Sequence, residues 1–166
     1  MTEKYVIIDG LSIVYSGYFS LSKLYKLIDL WIANKDYVKV ELKNIEQVTE
    51  RGRYIELEIA PYKEFNDYAK STLHVVVYVT NLKDKIVKIG NHEERINDGN
   101  IQIKFDGILE TDYARRWRSK PSFMFIRALV DKYIFRTEYH KFKDKVYRDT
   151  MTLHDEIKSY LNLNKF

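Results

Sequence analysis

Thr72-Leu73-His74-Val75-Val76-Val77-Tyr78-Val79-Thr80 decides the reading of this chain. Four of its nine residues are valines and one is tyrosine, side chains that fit a pleated, packed surface and lose rotamer freedom in a helix. The stretch predicts a central strand. Alternation places Thr72, His74, Val76, Tyr78 and Thr80 on one face and Leu73, Val75, Val77 and Val79 on the other.

Working outward, the residues on both sides continue the β pattern. Downstream, Asn81 to Asp84 reads as a turn, Ile86 to Ile89 as a short strand, Gly90-Asn91 as a second turn and Glu93 to Ile96 as the returning strand. Asn97-Asp98-Gly99-Asn100 contains an Asp-Gly pair suited to a tight hairpin, followed by alternating Ile101, Ile103 and Phe105. That strand is expected to continue through a kink at Gly107 to Tyr113. Upstream, Ile55, Leu57 and Ile59 alternate with Tyr54, Glu56 and Glu58, and Val38, Val40 and Leu42 with Lys39, Glu41 and Lys43. Both are half-buried strands in this reading, and Pro61 to Asp67 is a connection or a sheet edge.

The ends of the chain complete an α+β pattern. Lys4 to Phe19 reads as a first strand broken by Gly10 and Gly17. Ser20 or Ser22 then caps a helix over 21–34, whose apolar stripe is Leu24, Leu27, Ile28, Trp31 and Ile32. From Ser122 the period returns to 3.6, with one or two closing helices and the clearest from Asp144 to Leu163. The 166 residues carry 45% hydrophobic and 31% charged side chains, which predicts one soluble domain over 1–166.

Composition also limits the chemistry. With no cysteine there is no disulfide, thiolate metal site or cysteine nucleophile, in keeping with a cytoplasmic location. The apolar run Tyr5 to Ile8 stops at Asp9-Gly10, too short for a signal-peptide core, and no stretch is long enough to cross a bilayer. Residues 111–166 hold 13 basic and 7 acidic side chains, against 15 and 17 in 1–110. The basic third fits an anionic partner or simply a solvated lysine-rich surface.

The order of elements (strand, helix, consecutive hairpin-joined strands, long final helix) resembles the helix-grip fold of the START and polyketide-cyclase-like superfamily. The resemblance implies a curved antiparallel sheet of about six strands wrapped on the C-terminal helix, with one helix after the first strand. It also implies a cavity between sheet and helix for an apolar small molecule or lipid. Val6-Ile7-Ile8-Asp9-Gly10 separately resembles the first strand of metal-dependent nucleases and phosphotransferases. That alternative needs further carboxylates at the ends of parallel strands.

Two sets of residues are candidate sites. Tyr54, His74 and Tyr78 are expected to line the cavity, where an imidazole would orient a ligand or exchange a proton; the simpler reading is a histidine on a solvated face. Arg115, Arg116, Trp117, Arg118 and Lys120 surround one tryptophan with cations and precede Phe123, Phe125, Tyr133 and Phe135. The segment 113–136 therefore suits RNA, an acidic protein or an anionic membrane surface, or else packs in the core with its arginines paired to Asp112 and Asp131. His74, His92, His140 and His154 lack metal-ligand spacing, and neither a phosphate-binding glycine loop nor a nucleophile elbow is present. The sequence thus predicts a non-enzymatic binding protein with no metal or cofactor, or alternatively an interaction module.

Overall fold

Leu73, Val75, Val77 and Val79 are all at most 1% exposed, so the odd-numbered face of the valine-rich stretch is the floor of the core. The computed structural model describes residues 3–111 and 136–163. In chain order these form β1 (Glu3–Phe19), α1 (Leu21–Asn34), β2 (Glu41–Thr49), β3 (Gly52–Ile59), β4 (Tyr62–Glu64), β5 (Ala69–Ile89), β6 (His92–Thr111) and α2 (Arg136–Leu163). The six strands make one open sheet in the order β1-β6-β5-β3-β2, with β4 paired to β5, and all pairings are antiparallel. The parallel sheet required by a nuclease-like first strand is therefore excluded. Gly10, with φ of 67°, instead sits where β1 slips register against β6 between Ile8 and Leu11.

The helices follow from their stripes. Ser20 Oγ accepts the Lys23 N–H at 3.4 Å and caps α1, whose Leu24, Ile28, Trp31 and Ile32 are buried. The α2 residues Val146, Leu153, Ile157 and Leu161 meet Ile101, Ile103, Phe105 and Leu109 of β6 in one hydrophobic core. Burying a large aliphatic or aromatic side chain contributes about 1.5–3 kcal/mol, so this layer carries most of the stability. Within it lies a polar cluster: the Tyr37 hydroxyl lies 3.0 Å from Ser71 Oγ and donates to Asp149 Oδ2 at 2.9 Å. Burial and, after it, the Asp149 charge hold the Tyr37 phenol well above its ordinary pKa, so it stays a neutral donor.

Several local expectations are corrected. Asn97-Asp98-Gly99-Asn100 is not a hairpin turn but lies inside β6, where Gly99 pairs with Gly17 of β1 and Asp98 with Lys83 of β5. Asn81 to Asp84 is likewise no turn: β5 passes through it with one extra residue, Asn81 having φ of 56°. The chain reverses at Gly90-Asn91, between the paired Ile89 and His92. Close approach explains why glycine follows Asp98, since a Cβ at Gly99 would stand 3.1 Å from both Leu82 Cα and Thr80 O. Val38 makes only an isolated bridge to Tyr62, and β2 begins at Glu41. Pro61 to Asp67 contains the short β4.

Gly107 has a comparable role against α2. A Cβ there would lie 2.6 Å from Thr150 Oγ1, so the bare backbone sets the distance at which the helix rests on the sheet. Gly107→Ala is expected to destabilise the fold by about 1–3 kcal/mol, the usual cost of overpacking, and Thr150→Ala in the same chain to recover much of it. Urea denaturation followed by circular dichroism measures both; simple additivity of the two changes would exclude the contact as the cause.

Candidate functional site

Tyr54, His74 and Tyr78 belong to the even-numbered face of the sheet, away from the helices. Their neighbours Ile55, Val75, Val77 and Val79 are members of the core, whereas Val76, though buried, is not. The three residues therefore lie half-buried on the outer face rather than between the sheet and the final helix. That interior is filled, among the described residues, by Phe105, Leu109, Val146, Leu153 and Ile157.

On the outer face the three residues are tied into polar pairs. His74 Nε2 lies 2.7 Å from Glu58 Oε1, and His74 Nδ1 lies 3.2 Å from Asp106 Oδ2. Asp106 Oδ1 also accepts the Gly10 N–H at 2.7 Å, so one chain of hydrogen bonds crosses β1, β6, β5 and β3. Tyr54 donates to Glu56 at 3.3 Å, Lys43 pairs with Glu56 at 2.8 Å, and Lys104 stands 6.0 Å over the Tyr78 ring. Partial burial works against a charged His74, but the hydrogen bonds to Glu58 and Asp106 outweigh it and raise the imidazole pKa. His74 thus bridges Glu58 and Asp106 through both ring nitrogens. Arg115, Arg116, Trp117, Arg118 and Lys120 lie outside the described residues, as does the 3.6-period stretch from Ser122 to Phe135.

An open, largely apolar groove lies on the helical side. Residues of α1 and α2 line this groove of about 510 Å³, with Leu27, Leu30 and Trp31 in its apolar part and Lys23, Lys26 and Lys35 also in the lining. Tyr160 fixes the far wall, its hydroxyl donating to Ser20 O at 2.9 Å and accepting the Ser20 N–H at 3.0 Å. Leu30 is 62% exposed. Among the described residues, Trp31 Nε1 is the one buried side-chain polar atom without a hydrogen-bond partner. Glu156 is the lone carboxylate of the lining, while Lys23 pairs with Glu94 and Lys35 lies 4.0 Å from Asp149, leaving Lys26 as the lysine of the groove for which no ion pair is seen among the described residues. Sequence reasoning placed Leu27 and Trp31 in a single buried stripe, but Leu30 and the cations at 23, 26 and 35 were not singled out. The signal was the width of the apolar arc on α1, which covers more than one packed face.

No family model, curated protein or solved structure matches this chain.

His74 carries a testable pH dependence. A folded-state pKa raised above the unfolded value near 6.5 gives stability that is fully present below about pH 6.5 and is lost as pH rises through the folded value. The wild-type unfolding free energy from urea titration should therefore drop between pH 6 and pH 9, by an amount on the order of 0.5–1 kcal/mol for a partly exposed pair. His74→Gln should remove that part of the pH dependence, and an unchanged profile in the variant would show that other groups cause it.

Proposed function

We propose that this chain is a non-enzymatic binding protein on a helix-grip-like frame, and that its ligand is an apolar molecule bearing an anionic group. The observation that carries this reading is the α1–α2 groove, where exposed Leu30 and partly buried Leu27 lie beside Trp31, with Lys23, Lys26 and Lys35 in the lining. A volume of about 510 Å³ falls in the range of small-molecule sites. The apolar part of the ligand gains by leaving water, and Lys26 favours an anionic head group.

The strand order, with β1 beside the last strand and a long helix closing the chain, supports the helix-grip comparison. The ligand is assigned to the groove because the space between the sheet and α2 is occupied by core side chains among the described residues.

Titration with 8-anilinonaphthalene-1-sulfonate, competed by dodecanoate, tests the assignment directly. Saturable one-to-one binding is expected. Leu30→Glu should weaken it by about tenfold or more, through loss of an apolar contact and reversal of local charge, and Lys26→Glu by several-fold. Tyr78→Ala on the opposite face, and Trp117→Ala with Arg116→Ala in the basic segment, should leave it unchanged. Absence of saturable binding, or equal binding by Leu30→Glu, would reject the groove; loss in the Trp117 and Arg116 variant would move the site to segment 113–136.

A further inference from the structure

The extra residue in β5 has a consequence on the outer face of the sheet. It shifts the phase of the strand by one, so that beyond the bulge Leu82 is buried and Lys83 is exposed, directly opposite Asp98 of β6. The turn between β2 and β3, Glu50-Arg51, lies against the same bulge, because Gly52 approaches so closely that a Cβ there would stand 2.7 Å from the Asn81 carbonyl carbon. A polar cleft of about 520 Å³ results, and every residue of its lining is described. Ser16 of β1 and Asn100 of β6 form one part of it, the Ser16 hydroxyl donating to Asn100 Oδ1. Glu50, Arg51, Asn81 and Lys83 form another.

Neighbouring cations are committed to carboxylates. Arg53 pairs with Glu46 at 2.9 Å and with Asp84 at 2.6 Å, and Lys85 pairs with Asp98 at 2.7 Å. Arg51 and Lys83 differ: both are exposed in the lining, and among the described residues neither side chain has an ion pair or a hydrogen bond. The same holds for the Asn81 amide, which the left-handed backbone at φ of 56° holds at the bulge.

We propose that this cleft binds a small phosphorylated polyol of the sugar-phosphate class. The planar fork of Arg51 and the ammonium of Lys83 suit a phosphate group. The Asn81 and Asn100 amides, the Ser16 oxygen and the Glu50 carboxylate supply the mixed donors and acceptors that hydroxyl groups require. Glu50 also selects against a ligand that is anionic at both ends, since Asp98 is already offset by Lys85 while Glu50 is not. Neither an aromatic nor an aliphatic side chain lines the cleft, so a lipid tail or a stacked base gains nothing there. The volume falls in the range of small-molecule sites.

Titration of isotope-labelled protein with glucose 6-phosphate, followed by two-dimensional NMR, tests the assignment. Saturable shifts are expected at the Gly52 and Gly99 amides and at the Asn81 and Asn100 side-chain amides. Arg51→Ala and Lys83→Ala, both at exposed positions, should each weaken binding by about fivefold or more. Asn81→Gly keeps the left-handed backbone but removes the amide, and should weaken binding by about threefold. Glucose and inorganic phosphate should each bind at least about tenfold more weakly than the ester that joins them. Lys26→Glu in the α1–α2 groove should change nothing, which separates this site from the ligand assigned there. Absence of saturable shifts, full affinity in Arg51→Ala, or inorganic phosphate binding as tightly as the sugar phosphate would overturn the proposal.

Discussion

The apolar face shared by β5 and β6 is the constraint on which the rest of the molecule depends. Its residues Leu73, Val75, Val77, Val79, Ile101, Ile103, Phe105 and Leu109 are effectively sealed from water, and every other element is placed by what it adds to that surface. α2 covers it lengthwise, at a distance set by the missing side chain of Gly107. β1 and β3 extend it on either side. α1 reaches it through Leu24, Ile28 and Ile32, and in doing so leaves Leu30 exposed.

Polar groups are sorted by the same surface. The outer face satisfies its ionisable side chains laterally, through pairs such as Lys43 with Glu56 and the His74 bridge, where solvent moderates both cost and gain. Tyr37, Ser71 and Asp149 sit instead inside the core, where the hydroxyls must bond to the carboxylate or lose a hydrogen bond outright. Such a cluster adds little net stability but fixes the rotation of α2 relative to the chain between α1 and β2.

Much of the architecture was legible in the sequence because burial imposes a period. α1 matches its stripe and its Ser20 cap, β3 and β5 match their alternation, and the α+β order of elements holds. Failures came where a local signal was overruled by distant backbone. Asp98-Gly99 has the chemistry of a turn, yet Gly99 is there for the closeness of Leu82 and Thr80, a relation that exists only once β5 and β6 are paired. The site was less legible for a similar reason. Alternation correctly put His74 and Tyr78 on one face, but periodicity does not say which face meets a helix. The odd-numbered valines answer that only after the whole sheet is assembled. The groove is lined by two helices that lie more than a hundred residues apart in the chain.

β1 takes its place in the sheet by pairing Glu3 with Thr111 and Phe19 with Asn97, so β1 is synthesised well before its partner β6. The β5–β6 ribbon closes locally around Gly90-Asn91 and nucleates without it. During translation the uncharged stretch from Gly10 to Phe19 therefore waits, with backbone groups open, while most of the domain is still being made. Folding in the cell has a vulnerable interval whose length is set by topology, and a chaperone or a prompt α1 docking has its greatest effect at that strand.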